Sequence, residues 1–287
     1  MSEMQMIREW SEMIKIEHTV FALPFALSGL ILAFGKVPPL MVIFFTVLAF
    51  AGARAAAMTL NRLIDAEIDG KNPRTSDRAI PAGRISKSQA LIFTVISFAV
   101  MLGAASQLPP LCLKLSPIAV IWLSFYSFTK RFTWLCHIVL GIALGGAALG
   151  GWVAAGGTLA GPAPWVLALA VSTWVAGFDI IYACQDVSFD RQEKLFSMPA
   201  RFGAGTALWI ARALHMVTGA SLIGLGLIMG LGLFYWLGIA LVILMLAYEH
   251  SIVRADDLSR VNAAFFTVNG IVSILAFLAI ALDRILA

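Results

Sequence analysis

Long runs without a charged residue dominate the pattern of this 287-residue chain. Between Arg131 and Asp179, and again between Arg212 and Glu249, there is no Asp, Glu, Lys or Arg. A membrane-spanning helix needs about 20 mostly apolar residues, so each of these runs is long enough for two spans joined by a turn. The whole pattern predicts nine spans, at roughly 16–35, 39–67, 88–107, 111–129, 135–155, 163–188, 205–229, 233–250 and 260–283.

The pattern therefore predicts an all-α, polytopic membrane protein. We expect residues 1–287 to form one domain, a helix bundle around a central cavity open to the cytoplasmic side. The composition agrees, because 60% of the residues are hydrophobic and only 13% are charged, against roughly 25% charged in soluble proteins. This excludes an ordinary cytosolic enzyme, a disordered chain and a nucleic-acid binder. The three cysteines lack metal-site spacing and are interpreted as buried side chains.

Basic residues are distributed unequally between the two sides of the predicted bundle. Of the 20 Lys and Arg residues, 14 fall on the side of the N-terminus, three on the other side and three within spans. Cytoplasmic loops carry an excess of Lys and Arg. We therefore predict a multi-pass protein of the cell (inner) membrane, with a cytoplasmic N-terminus and with the long charged loops in the cytoplasm.

Two sets of polar residues lie at the inner ends of predicted spans. In the first set, steps of seven, four and four residues place Arg54, Asn61, Asp65 and Asp69 on one helix face, and Glu67 falls on another face.

The second set has steps of three, four and four residues, and comprises Asp179, Tyr182, Asp186 and Asp190. Ionisable groups within a membrane are costly and usually face a bundle interior or a wet cavity. Because both sets lie at the same depth and on the same side, we predict that they share divalent cations.

Oxygen ligands of this kind favour Mg²⁺, which keeps coordination positions open for a phosphate or diphosphate. The loops beside the two sets supply basic partners for such an anion: Lys71, Arg74, Arg78, Arg84, Lys130, Arg131, Arg191, Lys194 and Arg201.

Two interpretations without a bound ligand remain open for these charged residues. The carboxylates could form structural ion pairs with Arg54, Arg62 or loop arginines, and the basic loops could reflect membrane topology alone. A cation-coupled transporter is the alternative from a different functional class.

Four motifs follow one another along the chain. They are N-x3-D-x3-D from Asn61, DRAIPAG from Asp77, YSFTKR from Tyr126 and YA-x2-D-x3-D from Tyr182. Together, over nearly the whole chain, they resemble the UbiA superfamily of intramembrane prenyltransferases. The last motif is most similar to the 4-hydroxybenzoate polyprenyltransferase branch.

This resemblance implies Mg²⁺-dependent transfer of a polyprenyl group from its diphosphate to an aromatic acid in quinone biosynthesis. The implied acceptor is 4-hydroxybenzoate, at the ring carbon ortho to the hydroxyl, as in ubiquinone biosynthesis; a dihydroxynaphthoate of a menaquinone route is the alternative. The implied catalytic and Mg²⁺-binding residues are Asn61, Asp65, Asp69, Asp186 and Asp190. The implied substrate contacts are Arg54, Arg78, Tyr126, Lys130, Arg131, Asp179 and Tyr182. Besides its substrates and the lipid bilayer, no obligate protein partner is expected.

Two arginines add to this picture. Arg54 matches a family arginine, and we predict that it acts in catalysis by binding the carboxylate of the aromatic acid, unless it pairs permanently with an Asp of the site. Arg62 stands where many family members have Asp, which adds a cation near the site.

Two groups of residues are candidates to line the path of the prenyl tail. Both groups are also explained by simple packing between helices. Met58 and Phe178 could contact the tail, as could the glycines of the fifth span: Gly141, Gly145, Gly146, Gly150 and Gly151. Small residues commonly let membrane helices pack closely, and we favour that interpretation for the glycines.

Overall fold

The structure is a computed structural model that describes residues 3–15 and 19–286. Within those residues the chain is helical and forms no β-sheet, which confirms the all-α prediction. The α-helices are α1 Glu3–Met13, α2 Thr19–Phe34, α3 Leu40–Ile64, α4 Ala66–Lys71, α5 Lys87–Ala105, α6 Pro110–Phe125, α7 Cys136–Ala154, α8 Pro162–Ala183, α9 Val187–Gln192, α10 Met198–Phe202, α11 Ala204–Met229, α12 Leu233–Ile252 and α13 Asn269–Leu286. Tighter 3-10 turns occur at Tyr126–Arg131 and Cys184–Asp186, and a wider π-helical turn at Ala263–Val268 leads into α13.

Eight helical stretches in the described part of the chain are long and apolar enough to cross a membrane. They are Leu40–Ile64, Lys87–Ala105, Pro110–Arg131, Cys136–Ala154, Pro162–Gln192, Ala204–Met229, Leu233–Ile252 and Ala263–Leu286. Each corresponds to a predicted span, so the chain is a multi-pass membrane protein. The remaining predicted span, 16–35, corresponds to α2, whose apolar part Ala22–Phe34 is shorter. Residues 16–18 lie outside the described residues, so a total of nine spans stays a prediction.

Small residues allow the central helices to approach closely. Helix α7 packs between α8 and α2, and a Cβ atom on Gly141 would lie 2.2 Å from the carbonyl oxygen of Ser172 on α8. A Cβ atom on Gly151 would lie 1.8 Å from the carbonyl oxygen of Ala26 on α2. Neither distance is possible for a real side chain, so this part of the glycine pattern serves helix packing. Gly146 and Gly150 face open space instead.

A buried polar network ties four helices together inside the bundle. The indole Nε1 of Trp174 on α8 donates to Oδ1 of Asn269 at 2.7 Å, and Nδ2 of Asn269 donates to Oε1 of Glu249 on α12 at 2.7 Å. His215 of α11 shares a 2.9 Å hydrogen bond with His250 of α12. Polar groups within a bilayer must find partners inside the protein, and this network supplies them away from the two acidic motifs.

Neither acidic motif lies on one continuous helix, which corrects the prediction of two straight helical faces. Helix α3 ends at Ile64 and α4 begins at Ala66, with Asp65 between them. The amide of Asp65 still donates to the carbonyl of Asn61, and the amide of Asp69 to that of Asp65, so the interruption is a one-residue kink. In the second motif, α8 tightens into the 3-10 turn at Cys184–Asp186 before α9 begins. Both breaks fall where the apolar run meets charged sequence.

Candidate active site

A cavity of about 290 Å³ lies where the two broken helices meet. It is lined by the first acidic segment, residues 61–69, and by the second acidic segment, residues 179–190. The acidic, amide and phenol side chains of these two segments that face it are Asn61, Asp65, Asp69, Asp179, Tyr182, Asp186 and Asp190, and outside the segments Asn72 and Tyr126 also line it. The structure therefore brings both predicted sets into one site, except for Arg54.

Asp65 is held by basic residues from a distant part of the chain. The 3-10 turn after α6 carries Lys130, whose Nζ lies 2.7 Å from Oδ2 of Asp65, and Arg131, whose Nη2 lies 3.5 Å from Oδ1. Nδ2 of Asn61 also donates to Oδ2 at 3.1 Å. The Asp65 side chain is only 2% exposed, and a carboxylate buried to this extent requires such partners.

Asp69 is held by the DRAIPAG motif. Nη1 of Arg78 lies 2.6 Å from both carboxylate oxygens of Asp69. The loop returns to α4 because Ala79 and Ile80 pack with Ala66 in a small buried apolar cluster, and because the Thr75 hydroxyl donates to the backbone carbonyl of Asp69. The DRAIPAG motif thus folds back onto the first acidic segment and places the Arg78 guanidinium on Asp69.

Arg74 connects the two acidic segments. Its Nε and Nη2 donate to the two oxygens of Asp186 at 3.0 and 2.5 Å, which is a bidentate pair. Its Nη1 donates to the hydroxyl of Tyr182 at 3.0 Å, and Nδ2 of Asn72 donates to Asp186 at 3.3 Å. Burial lowers the pKa of the Arg74 guanidinium, but the hydrogen bond and charge of Asp186 outweigh it and raise that pKa above its ordinary value. Arg74 therefore stays a cation.

The other two carboxylates of the second acidic segment have different partners. The Ser197 hydroxyl donates to Oδ2 of Asp190 at 2.7 Å, and Nδ1 of His137 lies 2.7 Å from Oδ2 of Asp179. His137 lines the cavity from α7, and the sequence analysis did not select it. The one available signal was a histidine inside an otherwise uncharged run.

Two arginines of α3 differ in their relation to the cavity. Arg62 lines the cavity and has no ion pair or hydrogen bond within the described residues. Arg54 is not among the lining residues. Its Nη2 donates to the backbone carbonyl of Lys15 at 3.3 Å, and its buried Nε has no hydrogen-bond partner in the described part of the chain. Arg54 thus pairs with none of the cavity aspartates, and its contact with the aromatic acid stays a prediction.

The predicted ion-pair alternative and the predicted metal site use the same carboxylates. Asp65, Asp69 and Asp186 each hold a basic side chain, and among the described residues no three His, Cys, Asp or Glu side chains lie close enough to surround a metal ion. The two acidic segments nevertheless present carboxylate and amide oxygens to the cavity, and Oδ1 of buried Asp65 accepts no hydrogen bond from a described residue. This chemistry fits a hard cation such as Mg²⁺.

A series of packed aromatic rings runs from the cavity into the bundle interior. The Tyr182 ring lies 4.2 Å from that of Phe265, which lies 5.3 Å from that of Phe178. Phe178 in turn packs at 4.9 Å on Trp174 of the buried network. Met58 lines the cavity as predicted, whereas Phe178 is a core residue that is 4% exposed. The site therefore has a charged end and, at Met58, Leu140 and Tyr182, an apolar end that borders this buried aromatic core.

Known proteins share this fold and are similar in sequence over most of the chain. The sequence pattern of the UbiA prenyltransferase family matches residues 22–271. The chain belongs to the UbiA prenyltransferase family. A UbiA homolog from Aeropyrum pernix, solved in the apo state, superposes with a TM-score of 0.85 at 35% identity, covering 93% of this chain and 98% of that one. This member of the UbiA family is therefore a membrane-bound prenyltransferase, and the alternative of a cation-coupled transporter is not favoured.

Two further relatives show how far the similarity to this UbiA-family chain extends. The 4-hydroxybenzoate octaprenyltransferase of Alkalilimnicola ehrlichii is 32% identical over 257 residues, which cover 90% of this chain and 87% of that protein. A UbiA homolog from Archaeoglobus fulgidus, solved bound to DMAPP and Mg²⁺, has a TM-score of 0.77 over 97% of this chain and 99% of that one. Its identity is only 23%, so it supports the fold alone.

Proposed function

We propose that this UbiA-family enzyme transfers a polyprenyl group from polyprenyl diphosphate to 4-hydroxybenzoate, at the ring carbon ortho to the hydroxyl. The observation that carries the proposal is the cavity itself, in which two acidic segments and several cations form one end and Met58, Leu140 and the Tyr182 ring form the other. The 4-hydroxybenzoate octaprenyltransferases of Alkalilimnicola ehrlichii and Vibrio cholerae, 32% and 30% identical, support the choice of acceptor. We treat residues 1–287 as one domain for this activity.

The diphosphate would bind at the charged end. Four cations line that end: Arg62, Arg74, Arg78 and Lys130. Three of them hold carboxylates when no substrate is bound, so an incoming diphosphate exchanges one set of anionic partners for another. Arg62 holds none within the described residues and is free to contact the diphosphate first. As the allylic C–O bond breaks, these side chains stabilise the negative charge that develops on the leaving group.

The carboxylate and amide oxygens of the two acidic segments would hold Mg²⁺. The residues are those that the motifs predict: Asn61, Asp65, Asp69, Asp186 and Asp190. Bound there, Mg²⁺ supplies positive charge that neutralises diphosphate oxygens. The carboxylates would then exchange their present Lys and Arg partners for the metal, which leaves those cations for the diphosphate.

The apolar end of the cavity protects the reacting carbon. Loss of diphosphate leaves an allylic carbocation, which water would quench. Met58 and Leu140 line the cavity, and the rings of Tyr182 and Phe265 continue the wall. Such surfaces exclude water from the cation until the electron-rich ring attacks it.

The carboxylate of the aromatic acid is the group by which the enzyme would recognise its acceptor. Arg54 has a buried Nε without a described partner, which supports its predicted role as a receptor for that carboxylate if the acid reaches past the lining residues. A dihydroxynaphthoate also carries a carboxylate and a phenol ring, and remains the alternative acceptor.

We further propose that the site opens to the cytoplasm, in the cell (inner) membrane, with the N-terminus on the same side. The 14-to-3 distribution of basic residues supports this orientation. A cysteine at Asp77, whose side chain is 97% exposed, should react with a membrane-impermeant thiol reagent in inverted vesicles and not in intact cells. The test needs a background in which Cys112, Cys136 and Cys184 are replaced by Ala. Labelling from outside intact cells would overturn the orientation.

The activity is tested by incubating membranes that contain the enzyme with one radiolabelled polyprenyl diphosphate and a panel of acceptors. The panel contains 4-hydroxybenzoate, a dihydroxynaphthoate and phenol. We expect transfer to 4-hydroxybenzoate, loss of transfer with EDTA and restoration by Mg²⁺. Transfer to phenol as readily as to the acid would exclude recognition of the carboxylate, and transfer to the naphthoate alone would select the alternative acceptor.

Metal binding can be measured separately from activity. Mg²⁺ together with inorganic pyrophosphate should raise the thermal unfolding temperature of the purified protein, because a ligand that binds only the folded state stabilises it. The Asp69→Asn variant should show a much smaller increase. If the unfolding temperature of this variant rises as much as that of the wild type, Asp69 is not a metal ligand.

A further inference from the structure

Asp179 differs from the other cavity carboxylates in its partner. Asp65, Asp69 and Asp186 each contact Lys or Arg, and Asp190, a predicted metal ligand, accepts from the Ser197 hydroxyl. The ionisable partner of Asp179 within the described residues is instead the imidazole of His137. Both residues line the cavity, His137 from α7 and Asp179 from α8. A carboxylate neutralised by a guanidinium is a poor proton acceptor, and Asp179 is not neutralised in that way.

The hydrogen bonds of His137 define the protonation of the pair. The backbone N–H of Met198 donates to Nε2 of His137 at 3.3 Å, so Nε2 is the acceptor nitrogen of the ring. These contacts fit the tautomer with the ring proton on Nδ1, which then donates to Oδ2 of Asp179 at 2.7 Å. The remaining oxygen, Oδ1, accepts no hydrogen bond from the residues that the structure describes, and the Asp179 side chain is 25% exposed. The pair thus presents one free carboxylate oxygen to the cavity.

The position of Asp179 fits the reacting ring better than it fits the diphosphate. It lies seven residues before Asp186 on the same inward-facing side, which is about 10 Å deeper at 1.5 Å per residue. Asp186 holds Arg74 at the charged end, whereas Phe178, next to Asp179 in sequence, belongs to the buried aromatic core that borders the apolar end. Asp179 therefore stands between the two ends, where an acceptor ring would meet the prenyl cation.

We propose that Asp179 accepts the proton that the aromatic ring loses and that His137 positions it for this step. The inference rests on the proposed function. When the ring carbon has bonded to the prenyl carbon, the C–H bond at that ring carbon breaks and its electron pair restores the aromatic ring. The proton passes to Oδ1 of Asp179, while Nδ1–H of His137 stays on Oδ2 and fixes the carboxylate. Diphosphate leaves in the earlier step, so no further reactant is needed.

Ring-deuterated 4-hydroxybenzoate, labelled at both positions ortho to the hydroxyl, tests this step directly. In the Asp179→Asn variant, kcat should fall by about 10²–10⁴-fold, the usual contribution of a positioned base. The isotope effect on kcat should rise above that of the wild type, because breaking the C–H bond becomes slower relative to the other steps. The KM for the prenyl diphosphate should change little. His137→Gln should give a smaller fall in kcat with the same increase in isotope effect.

Two control variants separate proton transfer from general damage. Asp186→Asn should lose activity at the charged end without any increase in the isotope effect. His215→Gln changes a buried histidine outside the cavity, which contacts the backbone of Trp174, and should leave the isotope effect at the wild-type value.

The outcomes also distinguish this inference from the proposed function. If the wild type transfers no prenyl group to 4-hydroxybenzoate, the proposed function fails. If the wild type is active but Asp179→Asn keeps the wild-type kcat, or loses kcat with no increase in isotope effect, only the role of Asp179 is overturned. Should Asp179→Asn not fold, Asp179→Glu and His137→Gln carry the same isotope test, and an unchanged isotope effect in both overturns the role.

Discussion

The two acidic segments line one cavity but differ in how their carboxylates are held. In the first acidic segment, the side chains of Asp65 and Asp69 are 2% and 7% exposed and each contacts at least one cation. In the second acidic segment, Asp186 and Asp179 are 17% and 25% exposed. Two motifs with the same x3 spacing thus form one closed, neutralised half-site and one more open half-site. Similar motif spacing does not give similar electrostatics.

The difference comes from the sequence around each motif. The first acidic segment is followed by DRAIPAG, which returns Arg78 to Asp69 within nine residues. The second acidic segment has a hydroxyl donor for Asp190, an imidazole for Asp179, and a cation for Asp186 that comes from the loop after the first acidic segment. The more open half-site therefore depends on the other for its only arginine pair among the described residues.

Asp65→Ala should have the largest effect, because it removes a predicted metal ligand and leaves Lys130 without its carboxylate. Asp65→Ala removes contacts to Lys130, Arg131 and Asn61 together, but Lys130 is 31% exposed, so the cost stays below the about 3–5 kcal/mol that breaking a fully buried pair involves. We expect transfer to be nearly abolished and the thermal unfolding temperature in detergent to fall clearly. If the unfolding temperature stays at the wild-type value, the first acidic segment is not the structurally locked half-site.

Asp186→Ala should reduce activity strongly with little loss of stability. Its partner Arg74 is 35% exposed and can be solvated when the carboxylate is removed. We expect kcat/KM to fall by about 10²–10³-fold, as for removal of one group that stabilises transition-state charge, while the unfolding temperature changes much less than in Asp65→Ala. Asp190→Ala is the matched variant and should behave in the same way. An equal loss of stability in Asp65→Ala and Asp186→Ala would remove the contrast between the half-sites.

Arg54→Lys tests how far the first acidic segment extends along α3. The variant keeps the charge but loses the planar fork that binds a carboxylate through two nitrogens. If Arg54 binds the aromatic acid, the KM for the acid should rise several-fold more than the KM for the prenyl diphosphate. An unchanged acceptor KM in Arg54→Ala would limit the site to the lining residues, from Met58 onward.

Glu67→Ala should have the smallest effect, and it serves as the control within the first acidic segment. The Glu67 side chain is 87% exposed and faces away from the cavity, where it lies 3.4 Å from Lys87. Exposed ion pairs contribute about 0–1 kcal/mol, so activity and unfolding temperature should both stay near the wild-type values. A loss comparable to that of Asp65→Ala would mean that the cavity is not the active site.

Hydrophobic patterning predicted the helices well because a bilayer permits few alternatives for an apolar run. Helical spacing likewise predicted that Asn61, Asp65 and Asp69 would face one side, since the kink at Asp65 keeps the hydrogen-bond pattern on both sides. The partners of these residues could not be predicted in the same way. Lys130 reaches Asp65, and His137 reaches Asp179, only through packing between helices that are distant in sequence. Helical spacing likewise did not show that Arg54 would lie outside the cavity lining, and its role toward the aromatic acid stays a prediction.

The long-range pairing of the carboxylates also sets an order in which the site can be completed during synthesis. Chains emerge from the ribosome N-terminus first. Asp69 meets Arg78 almost at once, but Asp65 precedes Lys130 by a further two predicted spans, and Arg74 precedes Asp186 by 112 residues. The first half of the nascent protein therefore enters the membrane with acidic and basic groups still awaiting partners. The cavity is complete only after the helix that leads to Asp186 has been inserted.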